Sequence, residues 1–121
     1  MKNTAHITLK GNPISVNQLY RGRRFLTKIG KDIKEANYYT AKAQWPYRPF
    51  EEAVKVTVRF TFGDKRRHDI DNCLKAVLDS LTGVLWVDDS QIAELNITKC
   101  FDPKNPKVDL WVEPTADPYS Q

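Results

Sequence analysis

The middle of the chain contains a run, from Val54 to Phe62, in which apolar and polar residues alternate without interruption. The run lies in the segment AVKVTVRFTF, Ala53 to Phe62, which is rich in β-branched and aromatic side chains. An alternation with a period of two places every second side chain on the same face of a sheet. It therefore predicts a strand with one buried face, which needs neighbouring strands and a covering layer.

Five further segments carry the periodicity of a strand or a helix. Helical spacing predicts two helices, and alternating or β-branched residues predict three more strands. The predicted segments are a strand at 5–10, a helix that Thr27 caps and that runs to about Gln44, a helix from about Asp71 to Leu81, and strands at 92–101 and 107–113. Turn-forming residues at 102–106 predict that the last two strands form a hairpin.

The order β-α-β-α-β-β predicts an α+β fold in which two helices cover one face of a mixed sheet. A length of 121 residues suits a single domain, which we expect to span 1–121 with a loosely ordered tail at 114–121. The sequence has no run of the roughly 18 consecutive apolar residues that a membrane helix needs, and its start leads into a strand rather than a signal peptide. We therefore expect a cytoplasmic protein with no membrane partner.

Two cysteines, Cys73 and Cys100, match neither a metal-binding spacing nor the disulfide framework of a small secreted domain. Cys73 lies between Ile70 and Val77 at helical spacing, which predicts a buried free thiol. A structural disulfide is the less favoured alternative. For Trp86, a place in the core is favoured over a stacking role at the surface.

Charge is distributed unevenly along the chain. Residues 1–48 contain ten lysines and arginines against two acids, a net charge of +8, whereas residues 49–121 contain nine against thirteen, a net charge of −4. A basic half suits a polyanionic partner, and a neighbouring acidic cluster suits a cation. A well-solvated surface would carry the same charges, so charge alone does not decide between the two interpretations.

Residues 11–26 have turn formers at their start and no helical periodicity, which predicts a long ordered loop. Within it, the segment YRGRRF interleaves aromatic rings with guanidinium groups, a pattern that suits contact with phosphates and stacking on bases. An exposed, partly mobile basic loop is the alternative. The candidate residues for binding a nucleic-acid backbone are Arg21, Arg23, Arg24, Lys65, Arg66 and Arg67.

Two aspartates, Asp69 and Asp71, lie where this last basic run meets the second predicted helix. Inside a helix their side chains would point about 200° apart, but in an extended entry they can point the same way. Capping the helix accounts for one aspartate and not for both. Asp71 and Lys75 are spaced as an ordinary surface ion pair, and Asp88-Asp89 as a polar turn, so structural roles stay open.

The second interpretation of these aspartates is a metal site. Carboxylates that the fold brings together repel one another, and a bound divalent cation removes the repulsion. Because all candidate ligands are carboxylates, the site favours Mg²⁺, with Mn²⁺ as a substitute, over Zn²⁺. Together with lysines and arginines that attract a nucleic-acid backbone, this pattern is typical of phosphodiester hydrolysis.

The chain resembles the RusA family of Holliday-junction resolvases. The similarity is strongest from Asp64 to Gln91: a basic run, then DIDNCLK, the apolar helix through DSL, and VLWVDDSQ. Fainter similarity covers PISVN at 13–17, the loop around Tyr20, and a final hairpin. One departure is His68, since the family often continues an arginine run up to the first aspartate.

The resemblance implies that Asp69, Asp71 and Asp89 are catalytic, metal-binding carboxylates and that Lys75 is the catalytic lysine. Asp88 is then a neighbour that assists or caps, and Asn72 is either an orienting donor or an ordinary polar residue. The resemblance also implies a Mg²⁺-dependent homodimer that nicks opposing strands of four-way junction DNA symmetrically in recombination and repair. Such an enzyme works in the cytoplasm of a bacterial cell or a phage-infected host.

Two other functions fit the same residues. A non-catalytic nucleic-acid-binding protein with structural aspartates would bind DNA in a salt-dependent way without needing a divalent metal. A metal-dependent phosphoesterase that acts on nucleotides would hydrolyse a mononucleotide ester in the absence of DNA.

Overall fold

The computed structural model describes residues 3–15, 20–21 and 25–119. The elements are β1 (Ala5–Lys10), β2 (Tyr20–Arg21), β3 (Phe25–Leu26), α1 (Lys28–Gln44), β4 (Val54–Phe62), α2 (Ile70–Leu81), a short 3₁₀ turn (Asp89–Gln91), β5 (Ile92–Phe101) and β6 (Lys107–Pro114). Among the described residues, no helix combines the length and the apolar character that crossing a membrane requires.

Four strands form one mixed sheet in the order β1-β6-β4-β5. β6 is antiparallel to both β1 and β4, whereas β5 runs parallel to β4. The two helices contact each other, and α1 also contacts β1, so both lie on the same side of the sheet. The predicted α+β fold, a mixed sheet with two helices on one face, is confirmed.

The predicted hairpin between the last two strands is wrong. β5 and β6 lie on opposite sides of β4 and pair with it rather than with each other. The reason is the crossover through α2, which returns the chain to the start of β4 and makes β5 a parallel neighbour. β6 then fills the remaining place between β1 and β4, where Leu110 and Val112 are fully buried.

The segment predicted as a long loop contains a short hairpin. β2 and β3 are antiparallel, with Tyr20 opposite Leu26 and Arg21 opposite Phe25. Strands of two residues are too short to show an alternation, which is why the sequence gives no sign of them. Of the candidate DNA-binding arginines here, the backbone of Arg21 lies in β2, whereas Arg23 and Arg24 lie outside the described residues.

The core follows the alternation of β4. Val54, Val56, Val58 and Phe60 are fully buried, as the period of two predicts. Trp86 is also fully buried, which confirms its place in the core. Cys73 and Cys100 are both free thiols, the first buried and the second exposed, so no disulfide links them.

The predicted cap of the first helix is confirmed. The Thr27 hydroxyl accepts a hydrogen bond of 2.8 Å from the backbone N–H of Gly30, one of the donors that the first turn leaves unpaired. The second helix begins at Ile70, one residue earlier than predicted, with Asp69 at the N-cap position. This start leaves the first aspartate of the DIDN motif just outside the helix and the second in its first turn.

Candidate active site

Asp69 and Asp71 lie together at the N-terminal end of α2, and both are exposed. The Asp69 carboxylate makes no capping hydrogen bond, although its backbone carbonyl accepts from the N–H groups of Asn72 and Cys73 at 3.2 and 3.3 Å. Burial raises the pKa of the Cys73 thiol, and the nearby negative charges of Asp69 and Asp71 raise it further. Both carboxylates are therefore close to Cys73, and the Asp69 carboxylate is not used to cap the helix.

Lys75 lies one helical turn after Asp71 and is exposed. The surface ion pair that this spacing permits is absent: within the described part of the chain, the ion pairs involve other residues. The lysine ammonium and the Asp71 carboxylate are therefore both available to a bound ligand.

Asp89 begins the short 3₁₀ turn that leads into β5, and the side chain of Gln91 holds this turn in place. Gln91 Nε2 donates to the backbone carbonyls of Phe50 and Glu52 at 2.8 and 2.9 Å. Its Oε1 accepts from the backbone N–H groups of Val87 and Asp88 at 2.9 and 2.8 Å. One amide thus ties the Asp88-Asp89 turn to the chain that precedes β4.

The segment before this turn is fixed by a buried indole. Trp86 Nε1 donates to the Thr82 hydroxyl at 2.9 Å, and the Trp86 carbonyl accepts from the Gly83 N–H at 2.7 Å. Gly83 has a φ of 92°, a left-handed conformation that glycine adopts without a steric penalty. Asp88, the neighbour of Asp89, bonds to the hydroxyl of Ser90, so it has a local structural role.

The two groups of carboxylates lie at opposite ends of β4. Asp69 follows the end of β4, whereas the Asp89 turn is bonded to Phe50 and Glu52, just before β4 begins. The 12 residues of α2, about 18 Å of helix, and the segment 82–88 lead the chain from one group to the other. Accordingly, the described residues contain no cluster of three or more acids, cysteines or histidines that could hold a metal ion. One chain does not bring Asp89 to Asp69 and Asp71.

The basic run Lys65, Arg66 and Arg67 is exposed and connects β4 directly to Asp69. Asp64 folds back over this segment: it accepts from His68 at 2.7 Å and from the Arg66 N–H at 2.9 Å. The hydrogen bond from His68 is the main cause that lowers the pKa of Asp64, followed by the one from Arg66. Among the described residues, none of these three cations forms an ion pair, so their charges remain available beside Asp69.

His68 packs rather than projecting into solvent. Its ring stacks on Phe62 with the centroids 4.0 Å apart and the planes 8° from parallel. Its backbone carbonyl accepts a hydrogen bond of 3.3 Å from Lys99 Nζ on β5.

The sequence did not predict a role for Gln91 or Lys99. For Gln91 the available signal was its place directly after Asp-Asp-Ser. For Lys99 there was no signal, because only the parallel pairing of β5 with β4 brings it next to His68.

Comparison with known proteins agrees with the arrangement of motifs. The family model described as endodeoxyribonuclease RusA matches residues 7–113. A crossover junction endodeoxyribonuclease of Enterobacteria phage 82 is 31% identical over 114 residues, which cover 91% of this chain and 94% of the relative. Proteins of the same name from Shigella sonnei (strain Ss046) and Escherichia coli (strain K12) are 30% identical over the same shares of each chain. The chain therefore belongs to the RusA family of endodeoxyribonucleases.

Proposed function

We propose that this endodeoxyribonuclease resolves Holliday junctions by metal-dependent, symmetric hydrolysis of two phosphodiester bonds. The observation that carries the proposal is the start of α2, where two exposed carboxylates stand directly behind three exposed cations. If these charges served only to stabilise the fold, we would expect the cations and the carboxylates to form ion pairs with one another, and the described residues contain no such pair. Here they remain available, the cations for DNA phosphates and the carboxylates for a metal ion.

The donor chemistry fits Mg²⁺, with Mn²⁺ as a substitute. Asp69, Asp71 and Asp89 offer only carboxylate oxygens, the ligands that these hard cations prefer, and all three are exposed. Bound there, the metal would supply an activated water and stabilise charge on the departing oxygen.

The protein's own cations complete the site. Lys75, exposed one turn beyond Asp71, neutralises charge on the phosphate that is cleaved. Lys65, Arg66 and Arg67 bind the neighbouring phosphates and fix the position of the strand, and we extend this role to Arg21, Arg23 and Arg24.

We further propose that each site is completed by a second copy of the chain. Paired nicks need two sites related by symmetry, and Asp89 lies at the opposite end of β4 from Asp69 and Asp71 of the same chain. β5 is an edge strand that begins directly after the Asp89 turn, and near its other end Lys99 contacts His68, the residue before Asp69. Two copies whose β5 strands lie antiparallel would bring Asp89 of each chain towards Asp69 and Asp71 of the other.

Mixing two inactive variants tests this arrangement. Asp71→Asn and Asp89→Asn should each be inactive alone, because each removes a ligand from both sites of its homodimer. In a mixed dimer, one site keeps Asp71 from one chain and Asp89 from the other, so nicking should return at about a quarter of the sites. No recovery after the chains have exchanged, as shown by co-purification of two tags, would place each site within one chain.

Cleavage of synthetic DNA tests the function as a whole. We expect paired, symmetric nicks in a four-way junction in Mg²⁺, none in EDTA, and none in a linear duplex of the same sequence. Binding of the junction without nicks in any divalent metal would favour the non-catalytic DNA-binding alternative. Hydrolysis of a mononucleotide ester without DNA would favour the phosphoesterase.

A further inference from the structure

A pocket of about 360 Å³ opens beside the N-terminal end of α2. It lies between the end of β4, the basic segment that follows it and the last residues of β5. The Lys99 ammonium, which lines the pocket, donates to the carbonyl of His68, the residue immediately before Asp69. The pocket therefore adjoins the proposed cleavage site without containing its carboxylates.

Aromatic rings and cations line the pocket together. Phe62 and His68 form a stacked pair within the lining. Phe101, the last residue of β5, also lines it and is 46% exposed, so part of its ring is open to a ligand. The Lys65 ammonium lies 5.2 Å from the centre of the Phe101 ring, so a cation already sits over this aromatic face.

We propose that this pocket binds the unstacked base of one nucleotide of the DNA substrate, next to the phosphate that is cleaved. The inference rests on the proposed function, which supplies DNA as the substrate, and it adds a site that binds a base. Phe101 provides a stacking face once Lys65 leaves the ring for a phosphate, and Lys65, Arg66, Arg67 and Lys99 then hold the phosphates on either side of the extruded nucleotide.

A base fits this lining better than a phosphate group does. A cavity of about 360 Å³ is of the size that holds a small organic ligand, roughly 300 Å³ or more, and a phosphate has no use for aromatic walls. Asp64 is also part of the lining, and its charge repels a phosphate, whereas the exocyclic amino group of a base can donate to it. The least costly base to extrude is one that has already lost a stacking neighbour, as at the branch point of a junction.

Removal of single bases from the substrate tests the proposal. Affinity is measured in EDTA for a set of four-way junctions, each with one abasic nucleotide near the branch point. For the wild-type protein we expect one position at which loss of the base weakens binding by about tenfold, the size of one stacking contact. Phe101→Ala should weaken binding of the intact junction by a similar factor and should no longer distinguish the abasic junction from it.

Two further variants separate stacking from folding. Phe101→Trp keeps an aromatic face and should keep the discrimination against the abasic junction. Tyr47→Ala is the matched control, since Tyr47 is 49% exposed and lies outside the pocket lining; it should behave as the wild type. The proposal would be overturned if the wild-type protein bound every abasic junction as tightly as the intact one, or if Phe101→Ala still bound the abasic junction more weakly than the intact one.

If the protein neither binds nor cuts junctions, the proposed function fails, and the same abasic series in a single-stranded oligonucleotide still decides whether the pocket takes a base.

Discussion

Individual side chains at the start of α2 keep their charges available. The Asp69 carboxylate makes no capping hydrogen bond, and Asp71 does not pair with Lys75, although the position of each would allow it. The chemistry of these residues could be predicted from the sequence because residue type fixes which ligands a carboxylate or an ammonium prefers. Their freedom from local partners could not, because the same spacing is compatible with a surface ion pair.

Asp71→Asn tests the carboxylate that lies inside the helix. We expect cleavage to fall at least about a hundredfold, because a neutral amide is a poor ligand for Mg²⁺. Junction binding should stay the same or become tighter, since a negative charge next to the DNA is removed. Asp32→Asn, which removes an exposed charge from α1, is the control and should cleave normally. Parallel loss of binding and cleavage in a folded Asp71→Asn protein would contradict the assignment.

The Asp64–His68 contact should make stability depend on pH. The pKa of Asp64 is lowered from its ordinary value of 3.8, so the ionised carboxylate favours the folded state. This contribution is present above a pH of about 4 and is lost as the pH falls through the lower pKa of the folded protein. Asp64→Asn should therefore lower the melting temperature slightly at neutral pH and have no effect in strong acid. Thermal unfolding followed across the acid range measures this, and a difference that is independent of pH would contradict it.

At the scale of elements, the alternation of β4 and the helical spacing of α2 were enough to predict both. The hairpin was wrong because alternation tells which face of a strand is buried and nothing about which strand lies next to it. The same limitation hid Lys99: its approach to His68 depends on the parallel pairing of β4 with β5. Gln91 shows a different limit, since its place after Asp-Asp-Ser does not reveal that its side chain bridges two backbone segments.

Gln91→Leu tests whether the Asp88-Asp89 turn must be held in place. The variant loses four hydrogen bonds from the side chain to backbone groups, which frees the turn that carries Asp89. Cleavage should fall by roughly tenfold to a hundredfold, since small displacements of a ligand have effects of this size, while junction affinity changes little. Gln44→Leu is the matched control because Gln44 also bridges to backbone groups, at Thr8, but far along the chain from the site. Equal cleavage by the two folded variants would show that the bridge is structural only.

For the molecule as a whole, the two parts of the candidate site, Asp89 and the pair Asp69 and Asp71, lie at opposite ends of β4. The position of Asp89 relative to Asp69 could not be predicted, because a separation of 20 residues can hold either a tight turn or, as here, a helix and a connecting segment that return the chain from the end of β4 to its start. The stretch of strongest family similarity, from Asp64 to Gln91, is continuous in the sequence, but the folded chain separates Asp89 from Asp69 and Asp71. Symmetry between two copies is the simplest way to reunite it.

Salt should weaken junction binding steeply, because each phosphate contact releases bound counterions. Arg67→Gln should reduce the slope of log affinity against log salt concentration by about one and weaken binding to every DNA sequence alike. Lys55→Gln is the control: Lys55 lies 3.3 Å from Glu94 and 4.0 Å from Glu113, so the protein already neutralises it. Titrations at several salt concentrations give the slopes, and an unchanged slope for Arg67→Gln would remove this residue from the DNA-binding surface.

The central place of β6 in the sheet has a consequence for synthesis of the protein. β6 is the last of the strands to leave the ribosome, yet β1 and β4 both hydrogen-bond to it and not to each other. A nascent chain that ends before Lys107 therefore holds two strands of the core without the one that joins them. A fragment of residues 1–106 should show no cooperative unfolding by circular dichroism. β6 must thus be synthesised before the nuclease can assemble its fold, which keeps chains that end before it from cutting DNA.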